Sequence, residues 1–71
     1  MTKLNYEIRE YAEGFGEGVY LFLNDGLCRG YTIEAMEKRN LFRRDLIKEF
    51  THEVQFFGGT LLDVENDVYL G

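Results

Sequence analysis

A mainly α fold is the class that this 71-residue sequence predicts. Two long stretches of apolar residues at helical spacing carry that expectation, and a Gly-Gly stop closes the second. The predicted architecture is a small helical domain, with helices at about 4–23, 33–39 and 41–57 and a short C-terminal β-hairpin or extended tail. The alternative is an α+β fold in which residues 3–33 form strands.

In the first stretch, Leu4, Ile8, Tyr11, Ala12, Phe15, Val19 and Phe22 recur every three or four residues, as on a buried helix face. Glu7, Glu10, Glu13 and Glu17 fall largely on the other side. Gly14, Gly16 and Gly18 oppose a helix, each costing roughly 1 kcal/mol relative to Ala. Leu4-Asn5-Tyr6-Glu7-Ile8-Arg9 also alternates strictly, which is the strand signature. The rival reading makes strands of 3–12 and 18–23, with the glycines as their connection. The helix is preferred because its period carries on through the glycines.

Asn24-Asp25-Gly26 reads as a turn, since Gly accepts positive φ and Asn and Asp tolerate it. Leu27 to Tyr31 is a short extended link. Thr32 is placed as an N-cap, with Glu34 in the first turn and Met36 and Glu37 continuing a helix that Asn40 breaks. The clearest pattern follows. Phe42, Leu46, Phe50, Val54 and Phe57 form one stripe, with Ile47 beside it, and Gly58-Gly59 stops it. Of these, Phe42, Leu46, Phe50 and Val54 are expected in the core. Thr60 to Leu70 reads as two extended pieces around Glu65-Asn66-Asp67. A lone hairpin is unstable in water, so this one should pack on the helices or pair with residues 27–31.

The length allows one domain, 1–71, and no repeat, linker or low-complexity tract suggests another. Hydrophobic residues make up 45% of the chain and aromatics 15%, too rich for a disordered segment. The longest apolar run, Val19 to Leu23, is too short to span a bilayer, so no membrane association is expected. No signal-like leader stands at the start, and the single Cys28 suits a reducing compartment. A cytoplasmic setting is expected.

Thirteen acidic residues face eight basic ones, for a net charge of −5. The imbalance is local. Residues 1–31 and 51–71 are acidic, the last segment having no Lys or Arg at all, whereas 32–50 holds Lys38, Arg39, Arg43, Arg44 and Lys48. Nucleic-acid binders normally carry the reverse balance.

Few residues could do chemistry. His52-Glu53-Val54-Gln55-Phe56 opens like a zinc-protease helix but has Phe56 where the second His should stand, and no other His exists. Cys28 and His52 are the only conceivable nucleophile and base; a small buried Cys after a turn is the commoner role and is the one expected. Gly14-Phe15-Gly16-Glu17-Gly18 lacks the Lys-Ser/Thr of a phosphate loop, and Glu17 would repel phosphate. Asp63, Glu65 and Asp67 start like a calcium loop, but Val68 replaces the required Gly. No catalytic, metal or cofactor-binding residue is therefore expected. Glu34, Glu37, Asp45 and Glu49 are interleaved with the basic segment, so intrahelical ion pairs explain it more simply than nucleic-acid contact.

In length, acidity and lack of chemistry across the whole chain, the sequence resembles the small acidic inhibitors made by phages and other mobile elements, of the anti-restriction and anti-CRISPR kind. No diagnostic motif carries that resemblance. It implies a non-catalytic, stoichiometric inhibitor that blocks a nucleic-acid-processing host enzyme, in the host cytoplasm if phage-encoded. The expected partner is a protein with a basic surface, without direct nucleic-acid contact; a homodimer is a further option. Glu10, Glu13, Glu17, Asp63, Glu65 and Asp67 are the expected partner-binding carboxylates, with Tyr11, Phe15 and Tyr69 as apolar anchors. The alternative is a small DNA- or RNA-binding regulator using Lys38–Lys48.

Overall fold

The alternation from Asn5 to Arg9, and not the helical period, governs the N-terminal third. A computed structural model describes residues 4–70. Its elements are β1 (Asn5–Ala12), β2 (Gly16–Leu23), β3 (Gly26–Thr32), α1 (Ile33–Lys38), α2 (Arg43–Phe57), β4 (Thr60–Asp63) and β5 (Val68–Leu70). Strands make up 45% of the described residues and helices 31%. The mainly α expectation is overturned, and the strand alternative holds for residues 5–32, while Ile33 already opens α1.

The reason lies at residues 13–16. Gly14 and Gly16 have φ of 88° and 91°, a left-handed backbone that no right-handed helix can pass through. They form a tight turn, closed by the Phe15 N–H donating to the Ala12 carbonyl at 3.0 Å. The misleading period arises because β2 is buried on both faces. Val19 and Leu21 face one way, Tyr20 and Phe22 the other, and all four are buried. An apolar run of that kind satisfies a helical template without being a helix.

The sheet order is β3-β2-β1-β4-β5. Strands β1, β2 and β3 form an antiparallel meander, and β4 returns parallel to β1, with Tyr6 opposite Leu61 and Ile8 opposite Asp63. The C-terminal hairpin thus joins β1 rather than residues 27–31. The β2–β3 turn is the expected one, with Asn24 and Asp25 both at positive φ.

Both helices pack on one face of the sheet. Tyr6, Ile8, Val19, Leu21 and Leu61 meet Met36 of α1 and Leu46, Phe50 and Val54 of α2. Thr32 caps α1 as expected, its Oγ1 accepting the Ala35 N–H at 3.1 Å. Asp45 accepts the Phe42 N–H at 2.8 Å and starts α2. The Gly58 and Gly59 N–H groups donate back to Gln55 and Val54 and end it. Phe42 departs from expectation. It precedes the first turn of α2, stays 51% exposed and lies under the Arg44 guanidinium. Phe57 is also exposed and meets Phe56 edge-on.

Ion pairs fasten α2 to the sheet at both sides. Arg29 of β3 donates to Glu53 and Glu49, at 2.6 and 3.1 Å. Arg43 of α2 donates to Glu10 of β1 and Asp63 of β4, at 2.7 and 2.9 Å.

The opposite face carries no helix. A smaller cluster of Ala12, Tyr20 and Phe22 lies there. Tyr20 is buried because its ring lies flat across Gly18 and Gly30, where a side chain on either glycine would collide with it. Phe15 covers its far side, with ring centroids 6.5 Å apart.

Candidate functional site

One end of the sheet gathers the carboxylates. There β1 ends, β2 and α1 begin, and the 64–67 turn folds over. Glu10, Tyr11, Glu17 and Glu65 line one shallow depression of about 330 Å³, together with Gly18 and Ile33. Strand β1 supplies Glu10 and Tyr11, the glycine turn reverses the chain into β2 with Glu17, and the β4–β5 turn adds Glu65 from far along the sequence. Four of the expected partner-binding residues are therefore brought together.

The remaining ones divide. Glu13 lies in the glycine turn and Asp67 in the 64–67 turn, at a φ of 52°. Both are exposed, as are Tyr11 and Phe15. Tyr69, 72% exposed, stands on β5 opposite Leu62, on the helix-free side and apart from the depression. Asp63 is the exception. It is only 3% exposed, faces the helices and is held by Arg43 and by Asn66 at 3.0 Å. Burial pushes its carboxyl up, but hydrogen bonds from Asn66 and Arg43 more than offset this and hold it below its ordinary value. The expectation that Asp63 is an exposed contact residue is corrected: it is a brace that sets the turn carrying Glu65 and Asp67. Glu10 is partly engaged in the same way, through Arg43.

Pairing, more than composition, shapes the electrostatics. Among the described residues, Glu13, Glu17, Glu37, Asp45, Glu65 and Asp67 make no ion pair; Glu17 and Glu65 line the depression and Asp67 lies in the turn beside it. In the basic segment Arg43 is spent inside the protein, whereas Lys38, Arg39, Arg44 and Lys48 stay exposed. Lys38 pairs with Glu34 at 3.5 Å, Arg43 with Glu10 and Asp63, and Arg39 and Arg44 lie over the rings of Tyr31 and Phe42.

The chemical candidates lie apart. Cys28 is not buried as expected but exposed on β3, its thiol 3.9 Å from the Gly26 carbonyl. His52 lines a depression on the outer side of α2 with Lys48 and Thr51. No hydrogen bond joins the two. No group of three or more metal-ligating side chains occurs among the described residues, and Asp63 turns away from Glu65 and Asp67. No helix among them is long and apolar enough to cross a membrane.

Sequence reasoning missed the helix-free sheet face, with Phe22, Leu27 and the Arg9 that lies over Phe22. The alternation at residues 4–9 and the doubly apolar run at 19–23 were the signals that could have found it. No family model, curated protein or solved structure matches this chain.

Proposed function

We propose that this protein is a non-catalytic binding protein that engages a basic protein surface through its acidic sheet end. On this reading it acts stoichiometrically, as an inhibitor that covers the nucleic-acid-binding surface of a processing enzyme. The observation that carries it is the convergence of Glu10, Glu17, Glu65 and Tyr11 on one depression, with Asp67, which makes no ion pair among the described residues, in the same turn as Glu65. Unpaired carboxylates on a surface favour a basic partner, speed encounter and fix register. Tyr11 and Ile33 supply the apolar contact that carbon-poor charge clusters lack.

The competing reading, a nucleic-acid-binding regulator, keeps exposed Arg39, Arg44 and Lys48 but loses Arg43, which Glu10 and Asp63 hold, and works against a net charge of −5. Fluorescence anisotropy against duplex and single-stranded oligonucleotides at low salt separates the two. The inhibitor reading expects no binding. Binding that weakens steeply with added salt would favour the regulator. Capture of one protein at a fixed molar ratio from nuclease-treated lysate of the source cell is the positive expectation.

A further inference from the structure

The end of α1 builds a groove beside the acidic depression. Asn40 takes a left-handed φ of 54°, and its N–H donates to the Glu37 carbonyl at 3.2 Å. The Leu41 N–H reaches back to the Met36 carbonyl at 2.9 Å. This paired closure turns the chain at the helix end. Leu41 then packs on the core that holds Met36, while Phe42 stays outside, half-exposed. Ile33, at the other end of α1, is also partly exposed. Ile33, Met36, Leu41 and Phe42 line a groove of about 470 Å³, together with Glu37 and Arg43.

Two features join this groove to the acidic depression. Ile33 lines both. The ion pair of Arg43 with Glu10 crosses between them, Arg43 lining the groove and Glu10 the depression. Charge there is one-sided. Glu10, Glu17 and Glu65 line the depression and Glu37 the groove, against Arg43, which Glu10 and Asp63 already neutralise. Glu17, Glu37 and Glu65 make no ion pair among the described residues. We propose that depression and groove form one continuous site for a segment of the partner protein that carries a cationic side chain next to a large apolar one. The cation enters the depression lined by Glu17 and Glu65, and the apolar side chain enters the groove beside Ile33 and Phe42. This rests on the protein-binding reading and adds the apolar half of what the partner presents. Charge complementarity selects the cation, and the shared Ile33 sets the apolar residue beside it. Carboxylates fix register, whereas the apolar contact supplies most of the affinity.

The test uses the isotope-labelled full chain and two short peptides with the same lysines, separated by leucine in one and by serine in the other. The leucine peptide should shift the amide signals of Gly18, Ile33, Glu37 and residues 41–43. It should bind about five- to tenfold tighter than the serine peptide, the gain from partly burying one leucine. Ile33→Ala with Phe42→Ala should erase that preference while leaving the spectrum folded. Glu17→Gln with Glu65→Gln should weaken both peptides. Equal affinity for the two, a preference that survives the paired alanine variant, shifts confined to Phe22 and Leu27 on the helix-free face, or no binding of either would overturn the proposal. Shifts at residues 41–43 that grow with the concentration of the chain alone would give the groove to a second copy and overturn it as well. Equal affinity with shifts at Gly18 and Glu65 leaves the acidic-surface reading standing. Failure of both peptides together with shifts at Arg39, Arg44 and Lys48 on adding an oligonucleotide would overturn that reading too.

Discussion

Arg43 on α2 donates from Nη2 to Oδ1 of Asp63 at 2.9 Å, and Asp63 is almost wholly buried. The pair fixes the helix against the returning strand β4. Because Asp63 also accepts from Asn66, it sets the turn that presents Glu65 and Asp67. Structure and proposed surface are linked through this one carboxylate.

Removing one partner of such a pair leaves a buried charge uncompensated, which costs about 3–5 kcal/mol. Arg43→Met should therefore lower stability by an amount of that order, a large share of a small domain's total. Chemical denaturation measures it. A midpoint unchanged from the wild type would show that water or Asn66 satisfies Asp63 unaided.

Acid should act through the same group. The carboxyl titrates below its ordinary 3.8 in the folded protein, so the folded state binds its proton less readily than the unfolded chain. Its contribution is fully present above the unfolded value and is lost as pH falls through the folded one. Thermal stability of the wild type should fall below about pH 4. Asp63→Asn should be less stable at neutral pH and flatter across that acid window. Parallel pH curves for the two proteins would contradict the assignment.

Packing on the helix face gives a second, independent measure. Leu46 is fully buried between α2 and the sheet, and Leu46→Ala should cost about 2–5 kcal/mol. Phe42→Ala, at an exposed site on the same sequence stripe, should cost less than about 1 kcal/mol. Equal losses in melting experiments would mean that the stripe, and not the observed packing, describes the core.

That contrast shows how far the fold was legible. The α1 start and the α2 stop were readable because they are local chemistry, a Thr hydroxyl and a Gly pair, whereas the α2 start, where Asp45 caps the Phe42 N–H, was not read. The strands of residues 5–23 were not, because β2 is apolar on both faces and mimics a helical period. The alternation of residues 4–9 pointed to a strand, but the left-handed Gly14 and Gly16 are what rule the helix out, and sequence does not display φ. The acidic surface was legible in part. Glu10, Tyr11, Glu17 and Glu65 meet, but the meeting depends on β4 pairing parallel to β1, a contact of high sequence separation. Asp63 looked like its neighbours Glu65 and Asp67 because burial alternates along a strand, and that alternation depends on register.

The seat of Tyr20 makes a prediction about the helix-free face. Gly30→Ala places a methyl group against the Tyr20 ring and backbone, an overpacking that should cost about 1–3 kcal/mol. Near-ultraviolet circular dichroism should show the aromatic environment altered along with the loss of stability. A variant as stable as the wild type, with an unchanged aromatic signal, would mean that Tyr20 does not lie across that glycine.

The central claim is that the unpaired carboxylates, and not the basic segment, carry partner binding. Affinity capture from nuclease-treated lysate of the source cell, compared between two charge-reversed variants, tests it most directly. Glu13→Lys, Glu17→Lys and Glu65→Lys together should abolish recovery of the bound protein while leaving the melting temperature close to that of the wild type, since all three are exposed. Arg39→Glu, Arg44→Glu and Lys48→Glu together should leave recovery nearly intact. The opposite pattern, with binding lost on reversing the basic residues and kept on reversing the acidic ones, would contradict the account.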